Sequence, residues 1–268
     1  MRDGVLRVWA FDMIFTIAGK ELKALFASPL AWVVLTVMQI ILGYSFLKRL
    51  DDFLQLQPRL VQMTSPPGVM ELVAAPTFGT AAAVLLFAVP LLAMRLIAEE
   101  RRNQTMVFLM SAPVSITDIV IGKFLGLVAF LLLVIGLIVL MPLALAGATR
   151  LDYGLLASLT VGLGLLATCF AAVSLYASCL TVHPMVAAIG AFSGLLAMLL
   201  MGETAGDSLR ARGWHIPAAL AQVLSPLKNF EPLGRGLIDT YAIACSVLLT
   251  VAFLVLAIRR LDAARLRG

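Results

Sequence analysis

Six stretches of this chain carry no Asp, Glu, Lys or Arg: residues 24–47, 72–94, 124–149, 153–182, 184–202 and 240–258. An α-helix needs roughly 17–25 apolar residues to cross about 30 Å of hydrocarbon. Backbone polar groups in lipid must be satisfied within the segment, which selects helices over open strands. The pattern predicts an all-α integral membrane protein, a single transmembrane domain over 1–268. Its six spans fall at 30–47, 77–98, 122–148, 154–182, 184–202 and 239–258, with His183-Pro184 marking a very tight turn.

The segments between these runs have patterns of their own. Over 8–27, Phe11, Ile14, Phe15, Ala18, Leu22 and Leu25 recur at helical spacing, while Asp12, Thr16, Lys20 and Lys23 take the other face. That predicts an amphipathic helix lying in the membrane interface, turned into the first span by Ser28-Pro29. Lys48 to Ala75 is expected as a loop, broken most sharply at Ser65-Pro66-Pro67-Gly68, and Pro90 as a kink in the second span. The insert opening at Glu99-Glu100-Arg101-Arg102-Asn103-Gln104-Thr105 lacks the Gly, Ser and Pro of an ordinary loop. It predicts a short rigid helix instead, with Glu99 opposite Arg102 and Met106, Leu109 and Met110 along one face, stopped at Ala112-Pro113. A further short helix is expected over Ser115–Ile121. The half-apolar segment 203–238 predicts short helices that re-enter the membrane or lie in its outer interface.

Composition sharpens the class. The chain is 62% hydrophobic and 13% charged, far from the roughly one quarter charged of soluble domains. Lys20, Glu21 and Lys23 stand where the apolar core of a cleavable signal peptide would continue. The net charge of +5 is explained by membrane orientation before nucleic acid. With six spans both termini share one face. That face carries Arg2, Arg7, Lys20, Lys23, Arg95, Arg101, Arg102, Lys123, Arg259, Arg260, Arg265 and Arg267, against eight basic residues opposite. The positive-inside rule makes it cytoplasmic. Cys169, Cys179 and Cys245 sit in apolar runs without metal or redox spacing and read as packing residues.

Candidate chemistry is sparse. The sequence has no GxxxxGK[ST] loop, no HExxH and no GxSxG, and no span has Asp or Glu at its centre. An ion-coupled carrier usually places ionisable groups there. Arg95 has two readings: a side chain snorkelling to the boundary, or an i,i+4 partner of Glu99 that positions the insert. Gly190 and Gly194 give small residues at four-residue spacing, suited to packing within the chain or to a dimer contact. Gln39, Tyr44, Thr168, Ser174, Tyr176 and Ser178 either line a path or bond between helices. The sum is a membrane protein with a docking element and no energy-coupling chemistry of its own.

The run from Val89 to Thr105, closing at Ser111-Ala112-Pro113-Val114-Ser115 and Gly122-Lys123, resembles the type-2 ABC exporter permeases. The branch it looks most like is that of gliding motility and nitrous-oxide-reductase maturation. Ala18-Gly19-Lys20-Glu21-Leu22 with Phe26 and Ser28-Pro29 is similar to the family's N-terminal connecting helix. Leu224-Ser225-Pro226, Asn229-Phe230-Glu231 and Gly234–Asp239 are similar to its segment before the last span. The resemblance implies a transport subunit without catalytic residues or cofactor of its own. Two copies of an ABC ATPase would bind the ATP and Mg, and a second permease copy or a related permease would complete the complex in a bacterial inner membrane. It further implies that Glu99–Met110 acts as the coupling helix. Gln104 and Val107 stand where the family commonly has Gly and an acid. An alternative expectation is ATPase-driven mechanical work on a periplasmic partner, without translocation.

Overall fold

The computed structural model describes residues 2–60, 67–103, 115–147, 149, 151–202 and 223–265. Among them the regular structure is helical. In chain order come α1 (Arg2–Ala27), α2 (Pro29–Leu60), a wide π-type turn at Met70–Ala74 leading into α3 (Ala75–Ala93), and α4 (Arg95–Arg102). Then follow α5 (Ile116–Leu143), α6 (Tyr153–Leu180), α7 (Pro184–Leu200), α8 (Pro226–Gly234) and α9 (Thr240–Arg265).

Among the described residues, five segments are long and apolar enough to cross a membrane: Pro29–Pro58, Met70–Arg102, Ile116–Leu143, Tyr153–Leu180 and Thr240–Ala264. The predicted fifth span corresponds to α7, which is apolar but shorter, at 17 residues. Thr181–His183 alone separate it from α6, so the tight turn expected at His183-Pro184 is there, with Pro184 in the first helical turn.

α6 is the hub of the bundle, packed against α3, α5, α7, α8 and α9. Small residues let neighbours close on it: Ala167, Ala171 and Ala172 are buried, as are Cys169 and Cys179. α2, by contrast, turns Trp32, Val33, Val37, Ile40, Tyr44 and Leu47 outward. An apolar stripe of that length on a soluble protein would be a large sticky patch; on a membrane helix it is the lipid face.

Helices run past the ends of their apolar stretches. The loop expected from Lys48 to Ala75 is instead helical to Leu60, and the next helical segment starts at Met70. Lys48 through Gln57 contains no Gly or Pro. Gln55 Nε2 donates to Asp51 Oδ2 (2.9 Å), and Arg49 reaches Ser45 and Thr80 at 3.3 Å. Likewise α9 continues through Arg259-Arg260 to Arg265, where the span was expected to end at 258. Ser115–Ile121 is not a separate helix: Ser115 caps α5, its hydroxyl accepting from Asp118 N (3.1 Å), and the helix runs unbroken into the third span. In the second span the helix is interrupted at Met94, one turn beyond the expected Pro90 kink.

α1, expected over 8–27, starts at Arg2 and ends at Ala27 as expected. Phe15 is exposed, and the helix packs closely along α5. The contact is set by Gly122 and Gly126. A Cβ at Gly122 would lie 2.7 Å from Ile17 Cγ2, and one at Gly126 2.7 Å from Glu21 Cβ and 2.9 Å from the Ala18 carbonyl.

At the far end of α6, α8 is wedged among α3, α6, α7 and α9. Phe230 and Leu233 press on Gly162, and Ser158 Oγ donates to the Leu233 carbonyl (2.9 Å). Gly236 then takes a φ of +82°, a turn that a Cβ would strain, and hands the chain to α9. α8 is a short helix within the segment 203–238; residues 203–222 lie outside the described residues.

Candidate functional site

Charged residues of α1, α4 and α5 converge at the end of the bundle opposite α8. Lys123, about two turns into α5 and only 1% exposed, places Nζ 2.8 Å from Glu21 Oε1 on α1 and 2.8 Å from Glu100 Oε1 on α4. Gly122 and Gly126 flank Lys123 on α5 and bring α1 close enough for Glu21 to reach it. Lys20, largely exposed, stands 3.9 Å from the same two carboxylate oxygens. Two cations and two anions therefore share one site at three helix junctions. A charge removed from water needs such partners, because an isolated buried ammonium would cost several kcal/mol.

α4 is fixed by three further contacts. Arg95 Nη1 donates to Ser28 Oγ (3.0 Å) at the hinge between α1 and α2, and its Nε stands 3.7 Å from Glu99 Oε2. Arg101 Nη1 donates to the Cys179 carbonyl (3.0 Å), a cation on the carbonyl end of α6, where the helix dipole favours it. Ser178 Oγ enters the interrupted ladder of the second span. It accepts from Ile97 N (3.3 Å) and Ala98 N (3.0 Å) and donates to the Met94 carbonyl (3.2 Å). A side chain inserted between i and i+4 is a recognised cause of a helix bend. Here it explains why the break falls at Met94.

Most of the residues singled out in the sequence meet at this end. Glu21, Lys20, Arg95, Glu99, Glu100 and Arg101 are joined as described. Lys23 and Arg102 are exposed at its edge, and Asn103 ends α4, its N–H bonded to the Glu99 carbonyl (2.9 Å). The Glu99–Arg102 opposition is replaced by Glu99–Arg95. The helix carrying Glu99 begins at Arg95, four residues earlier than expected; Gln104, Thr105, Met106, Leu109 and Met110 lie outside the described residues.

Gly190 and Gly194 do not join the interior. Among the described residues nothing lies within 4 Å of a Cβ built at either, and α7 packs inward through Ala187, Ala188, Ala191 and Leu195. Of the polar span residues, Ser178 bonds between helices, Thr168 bonds to its own helix at Leu165 O (2.8 Å), Tyr176 packs on Phe253, and Tyr44 is exposed.

Lys123, Ser178 and the Gly122/Gly126 pair were not marked as site residues by the sequence. The glycine pair had a readable signal, the same four-residue spacing noted at Gly190 and Gly194. Lys123 entered as a basic residue of one face and as part of the Gly122-Lys123 block of the family resemblance.

The fold is that of a multi-pass helical membrane protein with a charged junction at one end and a wedged helix at the other. A family model for ABC-2 family transporter proteins matches residues 15–266, and the chain belongs to that family. No curated protein matches the chain. Permeases of this family are membrane components of ABC transporters rather than their catalytic subunits, and membership implies association with an ABC ATPase and the membrane.

Proposed function

We propose that the chain is the membrane-spanning subunit of an ABC exporter and that the charged junction transmits ATPase movement into the bundle. The observation that carries this is the double bridge from Lys123 to Glu21 and Glu100. It makes α1, α4 and α5 move as a unit. A force on α4 and the residues that follow it to Met110 would pass to α5 through a desolvated ion pair, to α2 through Arg95 and Ser28, and to α6 through Ser178 and Arg101. Rigid-body rearrangement of packed helices then opens or squeezes a path, since packed interfaces switch between arrangements rather than bend continuously.

In this reading α7 is a sixth span, about 26 Å long at 1.5 Å per residue, and the junction with both termini is cytoplasmic. Two ATPase copies bind the ATP and Mg, and the permease works as a dimer in a bacterial inner membrane. Gly190 and Gly194 lie on the open face of α7 and would meet a second copy. The branch of gliding motility and nitrous-oxide-reductase maturation rests on the sequence blocks quoted above.

A second reading has one observation in its favour. α8 touches α3, α6, α7 and α9, so movement of the bundle would reach the outer segment even without a translocated substrate. Mechanical work on an extracytoplasmic partner is then the output.

The experiment is mild extraction of the tagged full chain from its native membrane, with assay of co-purified ATPase activity, beside Arg102→Glu. Arg102 is exposed, so the substitution leaves the junction intact. The exporter reading expects ATPase with the wild type and its loss from the folded variant. Extraction of the intact chain without any ATPase would sink it.

A further inference from the structure

Beside the charged junction lies a cavity of about 340 Å³, whose walls include Leu25, Leu30, Ala31, Leu92 and Leu96 as well as the charges. About one helical turn farther along the same two helices, an open groove of about 460 Å³ runs between α2 and α3. Its floor is Val34, Met38 and Ala88, buried, and its rim is Val33, Val37 and Leu91, exposed. Phe87 forms one wall and is held there by stacking on Phe192 at 4.7 Å. The Thr80 hydroxyl at the far end is engaged by the Pro76 carbonyl and Arg49, so the surface offered is apolar. From Val33 to Ile41 and from Leu91 to Thr80 the groove is about 12–16 Å long, a length suited to much of one acyl chain.

The charges say what belongs at the head of the groove. The cavity walls carry three cations (Lys20, Arg95, Lys123) and three carboxylates (Glu21, Glu99, Glu100). Lys123, Glu21 and Glu100 are tightly joined at 2.8 Å. Arg95 and Glu99 make a looser 3.7 Å contact, each side chain about two-fifths exposed, and Lys20 is more exposed still. A zwitterion keeps this balance. Its phosphate would face Arg95, Lys20 and the Ser28 hydroxyl, and its amine, an N–H donor, would face Glu99. An anionic headgroup would leave one negative charge uncompensated beside low-dielectric walls.

We propose that the α2–α3 seam binds one zwitterionic, primary-amine phospholipid from the leaflet at that end, headgroup in the charged cavity and acyl chain in the groove. This goes beyond the exporter reading. It is tested on the chain without any ATPase, so failure of either idea leaves the other standing.

The test uses the purified full chain in nanodiscs made from a neutral carrier lipid. A trace of phosphatidylethanolamine bearing a photoreactive acyl chain is added, with unlabelled phosphatidylethanolamine or phosphatidylglycerol as competitor, and labelled positions are read by mass spectrometry. The expected result is labelling within 33–41 and 80–91, displaced about tenfold better by phosphatidylethanolamine. Ala83→Trp, an exposed groove residue made bulky, should abolish the label. Arg95→Gln combined with Glu99→Gln should keep the label and erase the headgroup preference. Equal competition by both lipids in the wild type, or labelling indifferent to both variants, makes the groove ordinary boundary lipid and overturns the proposal. Displacement by soluble phosphoethanolamine as effective as by the lipid also overturns it, as does a groove that is unlabelled and crosslinks to a second copy of the chain.

Discussion

Ser178 Oγ stands between Ala98 N and the Met94 carbonyl, at 3.0 and 3.2 Å, in the place where those two backbone groups would otherwise bond to each other. A residue 80 positions downstream thus completes the hydrogen bonding of the second span and sets where α4 departs from α3. Ser178→Ala leaves buried backbone groups to find each other or go unpaired. Loss of such a bond costs about 1–3 kcal/mol when the partner stays unsatisfied. The expected outcome is a lower melting temperature in detergent. If the ladder closes instead, α4 is re-aimed, and ATPase stimulation by the permease falls while the fold persists.

The charge triad separates stability from coupling. Lys123→Met leaves two carboxylates facing each other with only the exposed Lys20 nearby, 3.9 Å from each, and removing one partner of a buried pair costs about 3–5 kcal/mol. Replacing all three members together, with Glu21→Leu and Glu100→Leu added, removes the buried charges and should recover most of that stability. The prediction is that the triple variant folds close to wild type by thermal unfolding and still fails to transmit ATPase turnover into transport. Normal transport by the triple variant would reduce the triad to a packing device.

Hydropathy made the spans legible because lipid demands apolar surface over a fixed thickness. It could not give helix ends, because leaving the membrane does not stop a helix: Lys48-Arg49 and Arg259-Arg260 end the apolar runs while α2 and α9 continue. The charged insert pointed to the end of the molecule where Glu99, Glu100 and Arg95 meet. What the sequence hid was pairing across distance. Glu21 sits on an apparently mixed face of α1, and its burial is meaningful only once Lys123, 102 residues on, is seen beside it. The glycine spacing was legible in two places, and Gly122/Gly126 are the pair used inside the chain. Nothing local distinguishes them from Gly190/Gly194, since the choice depends on which helix arrives opposite.

Those two glycine pairs should therefore respond differently to the same change. Gly126→Leu has no room against the Ala18 backbone and the Glu21 side chain, and overpacking of this kind costs about 1–3 kcal/mol. Gly190→Leu projects into open space and should leave monomer unfolding within about 0.5 kcal/mol of wild type. If α7 meets a second copy, Gly190→Leu instead lowers the dimer fraction by light scattering in mild detergent. An unchanged dimer fraction would place that contact on another face.

The wedge at the opposite end gives a test that bears on both functional readings. Leu233 is 1% exposed, held by Gly162 and by Ser158 Oγ on its carbonyl. Gly162→Leu would drive a side chain into Leu233 Cβ and the Phe230 ring, from which even a Cβ is only 2.8 and 3.1 Å away. A cysteine placed at 233 should resist a membrane-impermeant maleimide in the wild-type background and react when Gly162→Leu is added; the native cysteines 169, 179 and 245 are buried and supply little background. The same Gly162→Leu chain should retain its ATPase, because the charged junction lies at the other end of α6. Loss of output with the ATPase still bound makes α8 the last link from the bundle to the outer face. Full output with α8 displaced confines the working parts to the spans and removes the main support for mechanical action on an outer partner.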